Sequence, residues 1–123
     1  MRPDCPCRRP HRRSLWVTRT ERREVARPID AQGRPDGAAI DSEGGYWSAG
    51  VSAGRLNRWL PDGTLDRVID LPVRSPTMPC FGGPGLRTLF VTSLRAPGAG
   101  ANCGRLIMMD VGVAGAPVGT FAD

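Results

Sequence analysis

The stretch "GRPDGAAIDSEGGYW", residues 33–47, decides the fold because it alternates short, mainly apolar runs with residues that form turns. The runs at 38–41 and 46–51 are both too short for a helix of ordinary length. The intervening "DSEGG" holds two glycines, which adopt the backbone angles of tight turns at no steric cost. The stretch therefore predicts two strands joined by a hairpin, with Asp41 and Glu43 in the turn rather than in a calcium loop.

The same pattern continues along the chain, which has 16 glycines and 12 prolines among 123 residues. This composition favours many short strands and tight turns, and no helix of normal length is expected. We predict eight strands, at residues 38–41, 46–51, 55–60, 65–71, 77–81, 88–93, 105–110 and 118–121.

The eight predicted strands divide into two sets of four with corresponding residues. Phe81 follows Ile40 by 41 residues, Phe90 follows Trp47 by 43, and "GRLIMMD" at 104–110 follows "GRLNRWL" at 54–60 by 50. A repeat of this length with four short strands is typical of the blades of a β-propeller. An eight-stranded β-sandwich fits the strand count equally well. Four aromatic residues are predicted to pack in the core, namely Trp47, Trp59, Phe81 and Phe90.

The charge of the chain is concentrated in its first 28 residues. They hold nine arginines against three acidic residues, whereas residues 29–123 hold eight arginines against nine acidic residues. We therefore divide the chain into an irregular, Arg/Pro-rich leader at 1–28, with one strand-like piece at 15–18, and a folded part at 29–123. Arginines in the leader could contact the phosphates of a nucleic acid, but a solvated leader is the preferred interpretation, and no nucleic-acid partner is expected.

Targeting signals and cysteines bear on where the protein works. The chain has no apolar run long enough to span a membrane, and no apolar segment follows its basic N-terminus as in a secretory signal. The four cysteines, at positions 5, 7, 80 and 103, fit no zinc-binding spacing. Reduced thiols in the cytoplasm are the simplest interpretation. Cys5 and Cys7 together with His11, the single histidine, are expected to bind no metal, and a catalytic triad built on His11 is not expected.

Four segments in succession carry a family resemblance: "RPDGAAIDSEGGYW" at 34–47, "GRLNRWLPDG" at 54–63, "LPVRSPTMPCFGGPGLRTLFVTS" at 71–93 and "GRLIMMDVGVAGAP" at 104–117. In this order they resemble the gluconolactonase family, which also contains senescence marker protein (regucalcin) and luciferin-regenerating enzyme. The resemblance implies an all-β fold, a six-bladed β-propeller. The chain resembles its last two blades, each a four-stranded antiparallel sheet, so the propeller would be incomplete.

The resemblance also implies a metal-dependent lactonase that hydrolyses sugar lactones. The metal would be a divalent ion, Ca²⁺ by preference and Zn²⁺ as the alternative, bound in the central channel. Asp36 matches the family's aspartate that binds the metal and serves as the base toward the attacking water. The glutamate and the asparagine that complete the family's metal site have no counterpart in this sequence. The resemblance therefore assigns a metal-binding role to Asp36 alone.

The tripeptide Pro-Asp-Gly occurs twice, and the resemblance gives its two aspartates different roles. Asp36 lies just before the first strand of its blade, which is the innermost strand and borders the channel. Asp62 lies between the third and fourth strands, at the outer rim, where Pro and Gly favour a hairpin turn. Asp36 is therefore the candidate metal ligand and catalytic base, and Asp62 is predicted to be a turn residue.

Two functions remain open for the chain. It is a fragment of a lactonase that is inactive alone, or a non-catalytic two-blade module that binds a partner. Two blades leave two sheet faces uncovered, which favours self-association. An origin as a truncated or mis-started gene product, with residues 1 to about 14 out of frame, would explain the leader. No membrane partner is expected.

Overall fold

The computed structural model describes residues 23–98 and 100–120, and within them it contains seven strands. The strand-like piece at 15–18, the two N-terminal cysteines and the histidine all lie outside the described residues. The single helical element of the described part is a 3₁₀ turn at Pro84–Leu86, so no helix there is long and apolar enough to cross a membrane. The strands are β1 (Pro35–Ile40), β2 (Tyr46–Gly50), β3 (Arg55–Trp59), β4 (Leu65–Asp70), β5 (Pro76–Gly82), β6 (Thr88–Ser93) and β7 (Ile107–Met109).

The strands form two antiparallel sheets, one with the order β1-β2-β3-β4 and one with the order β5-β6-β7. The inner strands β1 and β5 lie against each other, so the two sheets pack side by side. The predicted all-β architecture of two consecutive antiparallel sheets is confirmed, and so are the positions of seven of the eight predicted strands.

The eighth predicted strand, at 118–121, is wrong for its described residues 118–120, so the second sheet has three strands instead of four. After β7 the chain turns away and bonds to the end of β1 instead. Ala116 N–H donates to Ile40 O over 3.0 Å, and Ser42 N–H donates to Ala114 O over 2.8 Å. Pro117 then offers no N–H for a ladder, and Val118 is left 82% exposed.

The internal repeat predicted from the sequence is present in the strand register. Cross-strand partners form the row Ala39–Trp47–Arg58 in the first sheet and the row Cys80–Phe90–Met108 in the second. These rows reproduce the sequence offsets of 41, 43 and 50 residues. Both inner strands also carry a bulge, between Pro35 and Ala38 in β1 and between Pro76 and Pro79 in β5. The two sheets are therefore structural repeats of each other.

The core lies between the two sheets. Trp47 is fully buried, and its ring meets the ring of Phe81 edge to face, with 6.4 Å between centroids and 78° between planes. Such aromatic pairs add about 1 kcal/mol to the burial of their apolar area. Among the four predicted core aromatics, Trp59 is also buried and Phe90 is half-buried. The buried cluster consists of Trp47, Leu56, Phe81, Leu89, Val91 and Val111.

Candidate functional site

Asp36 is the second residue of β1, and its side chain is exposed. β1 is an edge strand of its sheet, and no strand among the described residues pairs with its outer side. The bulge between Pro35 and Ala38 includes Asp36, because the register passes from Pro35 opposite Gly50 to Ala38 opposite Ser48. An extra residue in a bulge changes the direction in which side chains point and is common beside functional sites. The predicted site residue thus stands on an irregular, accessible strand end.

Gly37 fixes the position of this bulge against the second sheet. A Cβ atom at Gly37 would lie 2.6 Å from the carbonyl oxygen of Thr77 and would overlap the side chain of Met78. No side chain fits between β1 and β5 at this point, so glycine permits their close approach. The residue beside Asp36 therefore holds the strand end that carries the carboxylate.

An open cavity of about 760 Å³ lies near the start of β1. Arg34 connects the two, because its carbonyl accepts from Val51 N–H over 2.9 Å and its N–H donates to Ser52 Oγ over 2.8 Å. Val51 and Ser52 both line the cavity, together with Arg74 and Asn102. Two residues of the cavity wall are therefore bonded to Arg34, which precedes Asp36 by two positions, and the cavity offers charged, hydroxyl and amide groups.

Asp36 is a single carboxylate, and a metal ion needs more ligands than it provides. Among residues 23–98 and 100–120 there is no group of three or more His, Cys, Asp or Glu side chains that could hold a metal ion. Calcium takes six to eight oxygen ligands and zinc takes four. The described residues therefore do not form a complete site for either ion.

A second acidic residue, Asp41, lies in the first hairpin turn, as predicted, but its environment was not predicted. Asp41 is 1% exposed, and its carboxylate accepts four hydrogen bonds. Oδ1 accepts from Glu43 N–H over 2.9 Å and from Gly45 N–H over 2.8 Å. Oδ2 accepts from Trp47 Nε1 over 2.7 Å and from Arg58 Nε over 2.8 Å. All these donors belong to the first sheet and its first hairpin, so Asp41 ties that turn to the core.

Arg58 completes this cluster. Its remaining nitrogens donate to Glu43 Oε2 over 2.7 Å and to Asp66 Oδ2 over 2.8 Å, and its guanidinium lies 5.8 Å from the Trp47 ring centroid. The side chain is only 5% exposed. The ion pair with Asp41, followed by the bond to Asp66, raises the pKa of Arg58. Arg58 is therefore a fixed cation that joins β3, β4 and the first turn.

The pKa of Asp41 reflects two opposed effects. Burial raises the pKa of this carboxyl, but the hydrogen bonds from Arg58, Gly45 N–H and Trp47 together outweigh burial and hold the pKa below its usual range. A carboxylate that is buried, ionised and saturated with donors has no access to a substrate. Asp41 is thus a structural residue, and Asp36 remains the exposed carboxylate on the inner strand.

Asp62 occupies the turn between β3 and β4, as predicted. Its Oδ1 accepts from Thr64 N–H over 2.9 Å, and the loop closes with Leu60 N–H donating to Thr64 O over 2.8 Å. Gly63 follows with φ of 89°, which glycine adopts readily. The two Pro-Asp-Gly tripeptides therefore differ in context: one lies in a bulge on the inner strand, the other in a hairpin loop.

Two consecutive antiparallel sheets with matching registers are blades of a β-propeller. The family model described as the SMP-30/Gluconolactonase/LRE-like region matches residues 14–95, and the chain belongs to this family.

The chain is also similar to individual proteins of known description. It is 55% identical over 78 residues to the 6-deoxy-6-sulfogluconolactonase of Pseudomonas putida, a match that covers 63% of this chain and 26% of that protein. It is 34% identical over 98 residues to the pentonolactonase XacC of Haloferax volcanii, covering 72% and 34%. Among solved structures, a calcium-binding protein, regucalcin from Agrobacterium tumefaciens, superposes with a TM-score of 0.71 at 27% identity, covering 79% of this chain and 35% of that one.

The chain thus spans between about a quarter and about a third of the length of these relatives.

Proposed function

We propose that this chain is part of a metal-dependent sugar lactonase, in which Asp36 is a metal ligand and the catalytic base. The observation that carries the proposal is the placement of Asp36: an exposed carboxylate, in a bulge, on the inner strand of a propeller blade. Two of the similar proteins are sugar lactonases by name, and a solved relative is described as calcium-binding. A carboxylate is the ligand type that calcium prefers.

The reaction is the opening of a lactone by water. The water oxygen bonds to the carbonyl carbon, the bond from that carbon to the ring oxygen breaks, and an open-chain hydroxy acid results. Asp36 would accept the proton that the attacking water loses and would return it to the ring oxygen as that oxygen leaves, which restores the carboxylate. When bound, a divalent ion, Ca²⁺ by preference or Zn²⁺, would polarise the carbonyl and lower the pKa of a bound water.

Residues of this chain would hold the base, Asp36, in position. Gly37 allows β1 to approach β5, so the strand end that carries Asp36 is held against a second sheet. The cavity that begins at Val51 and Ser52 would place the substrate near this strand end, where Arg74 and Asn102 offer hydrogen bonds to the hydroxyl groups of a sugar lactone. A base that is fixed beside a polar cavity loses little entropy when it meets its substrate.

The described residues alone are expected to be inactive. They supply one candidate ligand of the several that calcium needs, so affinity for the ion would be very weak. Activity requires the remaining ligands, which other blades would provide. The proposal includes a cytoplasmic location, supported by Cys80 and Cys103, which form no disulfide within the part of the chain that the structure describes.

A chimera tests the proposal. The 78 matched residues of the Pseudomonas putida lactonase would be replaced by their counterparts from this chain, and hydrolysis of a sugar lactone would be followed by acid release. We expect activity that falls by about 10²–10⁴ in Asp36→Asn, since this is what a general base contributes. Asp62→Asn is the matched control and should keep full activity. A folded chimera that is inactive with Asp36 present, or equally active without it, would refute the proposal.

The second candidate is a non-catalytic module that binds a partner through its sheet faces. The observation in its favour is the absence of a three-ligand cluster among the described residues. This second candidate predicts that the folded chimera and its Asp36→Asn variant bind metal and substrate with equal affinity.

A further inference from the structure

Several connecting segments of the chain lie at the end of the two sheets that carries Asp36. Because the strands are antiparallel, the chain enters β1 and β5 at the same end at which it leaves β2, β4 and β6. We call this the Asp36 end and define it by the segments 29–36, 50–55, 70–77 and 93–107 apart from residue 99. Propeller blades pack side by side around a channel. The further blades that the proposed function requires would therefore lie beside the two sheets and leave this end open.

The two ends of the sheets carry opposite charge. The segments of the Asp36 end hold five arginines against three aspartates, a net charge of +2. The segments at the opposite end hold one arginine against four acidic residues, a net charge of −3; these segments are 40–46, 59–65, 82–88 and 109–116. Such a charge distribution attracts anions to one end of the molecule and repels them from the other.

Most of the arginines at the Asp36 end are available to a ligand. Arg55 is the exception, since its Nε donates to Asp70 Oδ1 over 2.6 Å and its Nη1 donates to Ala31 O over 2.8 Å. The others are exposed and form no ion pair within the part of the chain that the structure describes; they are Arg34, Arg74, Arg95 and Arg105. The positive charge of this end is therefore largely uncompensated by the described residues.

Arg74 brings this charge to the cavity of about 760 Å³. It lies in the connection between β4 and β5, and the acidic residue that shares the cavity wall with it is Asp70, whose charge Arg55 balances. Arg74 is thus the uncompensated charge among the described residues of the wall. A guanidinium donates two parallel hydrogen bonds to a carboxylate or a phosphate, whereas a hydroxyl group uses fewer of its donors and none of its charge.

We propose that the sugar lactone opened at this site carries an anionic oxyacid group, such as a carboxylate or a phosphate, and that Arg74 binds this group. The inference rests on the proposed function and narrows its substrate class. Asn102 and Ser52, which also line the cavity, remain available to the hydroxyl groups of the sugar. The net charge of the Asp36 end would also speed the encounter with an anionic substrate, an effect that salt screens.

The chimera described above tests this assignment with three matched lactones: gluconolactone, its 6-phosphate, and glucarolactone, in which a carboxylate replaces the terminal hydroxymethyl group. We expect Arg74→Gln to lower kcat/KM for the two anionic lactones by about 10- to 100-fold, mainly through KM, as the loss of a charge-assisted hydrogen bond does. The loss for gluconolactone should be smaller, since glutamine still donates a hydrogen bond. The larger loss of the two shows whether the phosphate or the carboxylate is the group bound.

Arg87→Gln is the matched control, because Arg87 is an exposed arginine at the opposite end of the sheets. It should leave kcat/KM unchanged for all three lactones. If Arg74→Gln lowers kcat/KM equally for the three lactones, or for none of them, Arg74 does not bind an anionic group. A chimera that prefers gluconolactone to both anionic lactones would also overturn the proposal.

Calorimetric binding of the same lactones to the folded Asp36→Asn chimera separates this proposal from the proposed function. Weaker binding of the anionic lactones after Arg74→Gln supports the proposal even where the chimera with Asp36 is inactive. Unchanged binding after Arg74→Gln overturns it even where that chimera is an active lactonase.

Discussion

The Asp41 carboxylate and the Arg58 guanidinium meet at 2.8 Å with side-chain exposures of 0% and 5%, although 17 positions separate the two residues in the sequence. Breaking a buried ion pair by removing one partner leaves an uncompensated charge, which is far more costly than losing a surface pair. Removing either partner of this pair is therefore expected to destabilise the first sheet.

Arg58→Met should destabilise the fold by about 3 kcal/mol, because Asp41 loses its cation while it stays buried. Methionine is an informative replacement, since Met108 occupies the corresponding position of the second sheet. Urea unfolding measures the change. Arg87→Met, at an exposed arginine, is the control and should stay within about 0.5 kcal/mol. Equal changes in the free energy of unfolding for the two substitutions would show that the ion pairs of Arg58 contribute nothing to stability.

The lowered pKa of Asp41 gives the stability a defined pH dependence. A carboxyl whose folded pKa lies below its unfolded value contributes fully above the ordinary pKa, near 3.8, and this contribution is lost as the pH falls through the folded pKa. The urea midpoint should therefore decline below about pH 4. In Asp41→Asn this decline should be smaller, whereas Asp62→Asn should keep most of it. An unchanged acid profile in Asp41→Asn would contradict the assignment.

Trp47→Phe should destabilise by about 2–3 kcal/mol. The substitution removes the indole N–H that donates to Asp41, leaves that oxygen with one donor fewer, and opens a small cavity against Phe81. Thermal unfolding followed by circular dichroism measures the loss. Trp59→Phe removes a tryptophan that lies outside the core cluster and should cost less; the reverse order would show that the bond to Asp41 is unimportant.

Gly37→Ala should separate β1 from β5 or destabilise by about 1–3 kcal/mol, because the new methyl group meets the Thr77 carbonyl at 2.6 Å. Gly119→Ala provides the control, since a Cβ there meets nothing within 4 Å. Differential scanning calorimetry compares the two. If Gly37→Ala unfolds at the same temperature as Gly119→Ala, the approach of the two strands is not tight.

Local sequence signals predicted most of the fold. Short apolar runs bounded by Gly, Pro and Asp located seven strands, and the repeat offsets of 41, 43 and 50 residues recur between the strand registers of the two sheets. The eighth strand failed because its alternative is nonlocal. The hydrogen bond between Ala116 and Ile40 joins residues 76 positions apart, and no local pattern encodes it.

The site was predicted less completely than the fold. Asp36 was expected just before the innermost strand and instead lies within it, as the second residue of β1, and its role remains a proposal. The cluster around Asp41 was missed, although one signal was available: Arg58 alternates with Leu56 and therefore shares the core face. A buried arginine requires an acidic partner.

Residues 23–28 were assigned to the leader, whose predicted boundary is at residue 28. In the structure they lie along the first sheet, where Arg23 donates to Pro61 O over 3.3 Å.

The most direct test of the central claim is a calorimetric calcium titration of the chimera that carries this chain's residues. We predict that the chimera binds one calcium ion and that Asp36→Ala abolishes this binding, while Asp62→Ala leaves it unchanged. Calcium binding of equal affinity in the chimera and in Asp36→Ala, with both proteins folded, would show that Asp36 is not a metal ligand.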